Sequence, residues 1–317
     1  MKLISKFKKL EIFHKLTDIP ALTNPVITIG MFDGVHLGHR QIFTKLTSAA
    51  KAIGSKSVVI TFDTHPRMVL QHDAYKLKFI NSYQEKIDLI AKSEVDYLIF
   101  LPFTKEFSQL TTADFVKTIL VDTLHIKTLI VGHDNRFGNK ENNNFSSLYE
   151  LSQQSGFEIR QAEIKNIGDI AVSSTKIREA LDKGNIRQAN LMLGYSYQLS
   201  GKVIMGNQIG QKIGFPTANI DLENDFKLIP SLGVYAIKAG LGNKIYNGML
   251  NIGIRPTLNI NKLSIEAHLF DFDLDIYGQY LTVFFVDKIR DEQRFEGLDA
   301  LVVQLKKDLL TTKEILK

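Results

Sequence analysis

Through the first half of the chain, short and nearly continuous apolar runs alternate with stretches in which apolar residues return every three or four positions. The runs at 26–30, 57–62, 97–101, 128–131 and 157–164 are rich in β-formers and read as strands. A continuous apolar run, unlike an alternating one, suits a parallel sheet covered on both faces. Between the strands, 40–54 sets Ile42, Phe43, Leu46, Ala49 and Ala50 at helical spacing. The stretches 84–93, 112–124 (behind a Thr/Asp cap) and 145–155 also read as helices. This β–α alternation predicts an open, mostly parallel α/β sheet, whose ligands would lie at the carboxyl ends of the strands.

The pattern then changes. Two helices, 173–183 ended by Gly184 and 186–193 ended by Gly194, precede β-rich runs at 197–205, 234–239, 244–250, 265–270 and 279–286. Gly, Asn and Pro turns separate these runs, and 298–310 reads as one closing amphipathic helix. The second half is therefore expected to be a small antiparallel β-barrel with a terminal helix. At 317 residues the chain exceeds the usual size of one core. Two domains are expected, 1–193 and 194–317.

Composition narrows the classes. Hydrophobic content of 44% and charged content of 23% describe an ordinary soluble globular protein. No apolar run approaches the ~20 residues that span a bilayer. The first ten residues are basic but lack the apolar core of a signal peptide, so a cytoplasmic protein is expected. The absence of Cys excludes disulfides, thiolate metal sites and Cys nucleophiles. A net charge of +5, from 39 basic and 34 acidic residues, is spread without a Lys/Arg block. It reads as a solvated surface, and no basic face interleaved with aromatics suggests nucleic acid.

Chemistry enters where the first predicted strand ends, at Ile29-Gly30-Met31-Phe32-Asp33-Gly34-Val35-His36-Leu37-Gly38-His39. This is strand, tight turn and helix start. Free N–H groups and the positive dipole end of a helix attract phosphate. Gly30, Gly34 and Gly38 let the backbone come close to a ligand. His36 and His39, three residues apart, can point the same way and donate to a phosphoryl group as charge builds on it. Gly30, Phe32, Asp33 and Gly34 are the candidate ATP-binding residues of this turn.

Further motifs follow in order: Thr61-Phe62-Asp63-Thr64-His65-Pro66, Val131-Gly132-His133-Asp134-Asn135-Arg136-Phe137-Gly138 and Val172-Ser173-Ser174-Thr175-Lys176-Ile177-Arg178. In the second half come 206–219, with Gly206, Gly210, Gly214 and Phe215-Pro216-Thr217-Ala218-Asn219, then Asn251-Ile252-Gly253-Ile254-Arg255-Pro256-Thr257 and Ile265-Glu266-Ala267-His268. Together these resemble the bacterial bifunctional riboflavin kinase/FAD synthetase family, over nearly the whole chain.

The resemblance implies a Rossmann-like nucleotidyltransferase module that joins FMN and ATP into FAD and pyrophosphate. The FMN phosphate would attack the α-phosphorus in line, with position and electrostatics stabilising the transition state. His36 and His39 are expected at the α-phosphate. Ser173, Ser174 and Thr175 are expected as a helix N-cap facing the outer phosphates, with Arg178 at the departing pyrophosphate. His65, Pro66, Asp134, Asn135 and Phe137 are expected on the flavin side. Thr64 and Asn135 depart from the family's usual pattern, which has Pro at the first position and often an aromatic or His at the second.

For the second half the resemblance implies a riboflavin kinase barrel that phosphorylates the 5′-hydroxyl of riboflavin with ATP. Glu266 is the expected general base. Thr217 and Asn219 offer oxygen ligands suited to Mg²⁺. Gly206, Gly210, Lys212 and Gly214 would border the nucleotide phosphates, Lys212 supplying charge beside Gln211, where Arg is commonest. Arg290 and Phe295 would belong to a segment closing over flavin, and His268 would orient its neighbours. The implied partners are riboflavin, FMN, FAD and ATP, with Mg²⁺ as cofactor and neither nucleic acid nor membrane. Two alternatives stay open: a chain keeping one activity, the kinase, or a flavin- and nucleotide-binding regulator without turnover. Retention of His36, His39, Arg178, Thr217, Asn219 and Glu266 argues against the regulator.

Overall fold

The computed structural model describes residues 9–65, 68–69, 77–132, 145–206, 208–222, 226–256 and 261–317. It divides into two compact units, Met1–Val172 and Ser173–Lys317.

The first unit is built from β1 (Glu11–Phe13), β2 (Val26–Ile29), α1 (Leu37–Ala52), β3 (Ser57–Phe62), α2 (Tyr83–Ala91), β4 (Tyr97–Leu101), α3 (Lys105–Gln109), α4 (Thr112–Phe115), β5 (Thr128–Val131), α5 (Phe145–Ser155) and β6 (Glu158–Gln161). A two-stranded hairpin, β7 (Asn166–Ile167) and β8 (Ile170–Ala171), follows. The six-stranded sheet runs β1-β4-β3-β2-β5-β6, with every neighbour parallel. All residues of β2, β4 and β5 are buried, as the continuous apolar runs require. Strand order reverses between β2 and β5, and such a switch point opens a crevice at the carboxyl ends of the strands.

Three local readings change. The stretch 112–124 is not one regular helix: α4 passes into a wider π-type winding over Val116–Thr123, with Leu124 N–H reaching back five residues to Ile119 O. The strand expected over 157–164 pairs only at Glu158–Gln161, because β5 offers just four partners. The short edge strand β1, with its charged and basic surroundings, carries no legible strand period.

The second unit contains α6 (Ser174–Asp182), α7 (Ile186–Leu193), β9 (Gln198–Ile204), α8 (Ile209–Lys212), β10 (Ala218–Asp221), β11 (Gly233–Leu241), β12 (Lys244–Pro256), β13 (Asn261–Leu269), β14 (Tyr280–Arg290) and α9 (Leu298–Ile315). The six strands close as an antiparallel barrel, β10-β13-β12-β11-β14-β9. Alternate residues fill it: Leu199, Tyr235, Ile237, Leu250, Ile252, Ile265, Ala267, Val283 and Phe285 are all buried. A second apolar layer forms outside the wall, where Phe215, Met249 and Phe270 pack with Leu305, Leu309 and Leu316 around α9. The β12–β13 hairpin outruns the predicted strands, pairing from Gly248↔Leu269 to Pro256↔Asn261, because backbone pairing continues past the apolar positions.

Helices α6 and α7, grouped by pattern with the α/β half, pack instead with the barrel. Asn190 Nδ2 donates to Phe285 O at 2.9 Å, Tyr197 N–H donates to Asn190 Oδ1 at 2.7 Å, and Arg187 pairs with Asp287 at 2.7 Å. Ile177, Leu181, Ile186, Ala189 and Leu193 are fully buried. A fragment spanning Ser173–Lys317 is therefore expected to melt roughly 10 °C or more above one starting at Gly194, as measured by circular dichroism. Equal melting temperatures would mean that the two helices do not stabilise the barrel.

Candidate active sites

In the first unit the chain leaves the carboxyl end of β2 into the turn Gly30–His36 and enters α1. The turn is strained: Phe32, Gly34 and Val35 have φ of 47°, 88° and 34°. Positive φ is uncommon for non-glycine residues and an outlier for a β-branched one, and it persists only where surroundings over-determine it. Those surroundings are visible. Phe32 packs edge-on against Phe43 and His39, at 4.9 and 5.2 Å between centroids. The buried Asp33 carboxylate accepts from Ile80 N–H at 3.1 Å and Asn81 N–H at 3.2 Å. Lys86, buried on α2, donates to Met31 O at 2.9 Å. Burial pushes its ammonium below the ordinary lysine value, and Asp33 partly offsets this. Asp33, expected as an ATP contact, is thus engaged in holding the turn.

His36 caps α1: its Nδ1 accepts from His39 N–H at 3.3 Å. A ring nitrogen that accepts carries no proton, so in the neutral ring Nε2 bears the hydrogen and can donate to an anion. The two imidazoles stack at 3.6 Å with 19° between planes. A Cβ at Gly38 would stand 3.2 Å from the His36 ring, so this position keeps the cap in place by having none. Burial, then the neighbouring His36 and Lys86, hold His39 well below the ordinary imidazole range. It is neutral near pH 7, and its buried Nδ1 has no hydrogen-bond partner among the described residues. His65 lies 5.7 Å from the Phe79 ring. Pro66, Asp134, Asn135 and Phe137 lie outside the described residues.

The second unit carries the other candidates. Ser173 caps α6, its hydroxyl accepting from Lys176 N–H at 3.3 Å, so Ser174, Thr175 and Arg178 occupy the first turns of that helix. On the barrel wall, β13 turns Ile265 and Ala267 inward and Glu266 and His268 outward, into a cavity of about 260 Å³. Thr217 Oγ1 donates to Glu266 Oε2 at 3.3 Å. Asn219 stands opposite Glu266 in the β10–β13 register. Its amide occupies space that any Cβ at Gly206 would invade. Gly210 borders the cavity, Gly214 has φ of 80°, and Lys212 is exposed at the end of α8. His268 Nδ1 meets Pro216 O at 2.8 Å; a carbonyl only accepts, so Nδ1 carries the proton and the ring positions the Pro216–Thr217 turn.

Arg290 and Phe295 both line the cavity. The guanidinium is spent on structure: Nε and Nη2 grip the buried Asp308 of α9 at 3.0 and 2.8 Å, and Nη1 donates to Asp291 O. Sequence reading overlooked Asp308, Lys86 and Asn251. Helical spacing gives no sign of the first two, whereas Asn251 lies inside a quoted motif on the face shared with Glu266.

A parallel α/β unit with a strained glycine-histidine turn at its switch point, and a barrel unit with carboxylates in its cavity, fit a two-unit nucleotide-dependent transferase. The family model described as FAD synthetase matches residues 18–176, and the one described as riboflavin kinase matches 193–316. The chain belongs to the bifunctional riboflavin kinase/FMN adenylyltransferase family. It is 37% identical over 305 residues to the bifunctional riboflavin kinase/FMN adenylyltransferase of Buchnera aphidicola subsp. Acyrthosiphon pisum, covering 95% of this chain and 96% of that one. The Escherichia coli enzyme of the same name is 36% identical, covering 95% of each. A crystal structure named as a macrolide-efflux protein from Streptococcus pneumoniae is similar with a TM-score of 0.88 at 30% identity, covering 96% of this chain and 98% of that one. Among the described residues here, no helix is long and apolar enough to cross a membrane.

Because the fold keeps His39 neutral while an unfolded chain would titrate it near 6.5, stability is full above that pH and declines below it. The slope is at most about 1.4 kcal/mol per pH unit. Urea midpoints measured from pH 7 to pH 5 should fall for the parent and fall less for His39→Gln. Identical profiles would contradict the neutral assignment.

Proposed function

We propose that this chain phosphorylates riboflavin to FMN and adenylylates FMN to FAD, with ATP as co-substrate in both steps. The observation that carries the reading is the succession of two family models along one chain, FAD synthetase followed by riboflavin kinase. The first runs past Val172 into the opening turn of α6, which supports counting the Ser173–Arg178 motif among the adenylyltransferase parts. The catalytic modules are accordingly assigned to 1–193 and 194–317, even though α6 and α7 pack with the barrel. The cytoplasm, where ATP is supplied, is the compartment this reading implies.

In the kinase step, Glu266 takes the proton of the riboflavin 5′-hydroxyl as that oxygen attacks the γ-phosphorus and ADP leaves. Its hydrogen bond from Thr217 anchors the carboxylate on the cavity wall. Thr217 and Asn219 present hard oxygens, and the space spared at Gly206 seats the Asn219 amide, so the pair fits Mg²⁺. Among the described residues no cluster of three or more His, Asp or Glu side chains competes for a metal. When bound there, Mg²⁺ would offset phosphate charge. Gly206, Gly210, Gly214 and Lys212 border the phosphates, and Phe295 faces the flavin.

In the adenylyl step, His36 donates from Nε2 and His39 contributes a neutral ring, while Gly30, Phe32 and Gly34 shape the backbone around the α-phosphate. Asp33 and Lys86 keep that turn from relaxing. Ser173, Ser174, Thr175 and Arg178 serve the outer phosphates. His65, Pro66, Asp134, Asn135 and Phe137 are assigned to the flavin.

Glu266→Gln is expected to lower FMN formation by ~10²–10⁴-fold and to spare FAD formation from supplied FMN. Near-normal phosphorylation in chromatographic assays would remove Glu266 from its role. His36→Ala should do the converse, reducing FAD formation roughly a hundredfold while riboflavin phosphorylation persists. Loss of both activities would point to damaged structure, and loss of neither would refute the phosphate-site assignment.

A further inference from the structure

The strand order β10-β13-β12 sets three side chains in one row across the outer barrel wall: Asn219, Glu266 and Asn251. Asn219 and Glu266 have roles in the proposed kinase reaction; Asn251 has none. It stands directly opposite Glu266 in the β12–β13 register, where facing Cβ atoms lie about 4.5–5.5 Å apart. It lines the same cavity and is only half-buried. Among the described residues, its amide makes no side-chain hydrogen bond, although it faces Glu266 across the β12–β13 pair and borders the same space at Gly253 as the Glu292 carboxylate.

The surroundings give the row a direction. On the Asn219 side lie Thr217, Gly210 and the glycine loop, the groups suited to phosphate. On the Asn251 side lie Met249, Phe295, Leu301 and Leu305, which offer apolar area for a flat ring. A substrate whose terminal hydroxyl meets Glu266 and whose ring lies among the apolar residues must draw its polyol chain past Asn251. An amide offers both a donor and an acceptor, which suits a hydroxyl that can act either way.

Resting on the assignment of Glu266 as the kinase base, we propose that Asn251 is a substrate-orienting residue that hydrogen-bonds the ribityl hydroxyl next to the reacting one, at the 4′ position. The residue aligns the chain so that the 5′-oxygen reaches Glu266, and it discriminates flavins by the hydroxyls on their side chain.

The test compares riboflavin with 4′-deoxyriboflavin as substrates for the full-length protein and for Asn251→Ala, reading kcat/KM for FMN-type product. Each preparation supplies its own ratio between the two substrates, so the fraction of active protein cancels. The parent should prefer riboflavin by roughly tenfold or more, and Asn251→Ala should lose most of that preference by falling on riboflavin alone. Asn251→Leu, nearly isosteric but lacking both donor and acceptor, should narrow the preference in the same way if the alanine variant does not fold. Equal losses on both substrates, or an unchanged preference, would overturn the proposal. Glu266→Gln, assayed in parallel, separates the two levels. If it keeps turnover, the base assignment has failed and the Asn251 role falls with it. If it is inactive while the substrate preference survives in both Asn251 variants, the Asn251 role alone is wrong.

Discussion

The period-two geometry of a strand governs the kinase half of this protein. Once Ile265, Ala267 and Leu269 fill the barrel, Glu266 and His268 must face outward. A one-residue slip of β13 would bury the carboxylate in an apolar interior and expose the core. Antiparallel pairing extends the same logic sideways, bringing Asn219 and Asn251 to either side of Glu266. The site is thus tied to the core: the residues that hold the barrel together are the ones that aim its chemistry.

An outward-facing carboxylate becomes a site only if something covers it. Helix α9 does so, through an apolar layer on Phe215, Met249 and Phe270 and through the Arg290–Asp308 pair. That pair is largely withdrawn from water, and removing one partner of a buried pair typically costs about 3–5 kcal/mol. The α/β unit solves a different problem with comparable means. Its turn must hold Phe32 and Val35 at positive φ, and buried Asp33 ties that turn to Ile80 and Asn81 while buried Lys86 grips the Met31 carbonyl. In both units a buried charge keeps a candidate site in shape.

Much of this was legible in the sequence. The apolar runs at 57–62, 97–101 and 128–131 coincide with β3, β4 and β5, because continuous burial leaves a signal independent of partners. The glycine-histidine turn was legible because strand end, glycines and helix start are all local. What eluded the sequence was non-local. The π-type winding after α4 and the truncation of β6 depend on neighbours. The attachment of α6 and α7 to the barrel rests on single polar side chains such as Asn190 and Arg187, which no periodicity marks. Asp308 and Lys86 belong to amphipathic helices in which a charged residue ordinarily reads as solvent-facing. Arg290 shows the same limit: its position beside Phe295 was legible, its engagement by Asp308 was not.

In the proposed function, two separately built sites on one chain act in series on a flavin. The most direct measurement is time-resolved chromatography of products from the purified protein given riboflavin, ATP and Mg²⁺. FMN should rise first and then yield to FAD, with ADP and pyrophosphate released in step with the two stages. FMN that accumulates without conversion to FAD, or no phosphorylated flavin at all, would contradict the account.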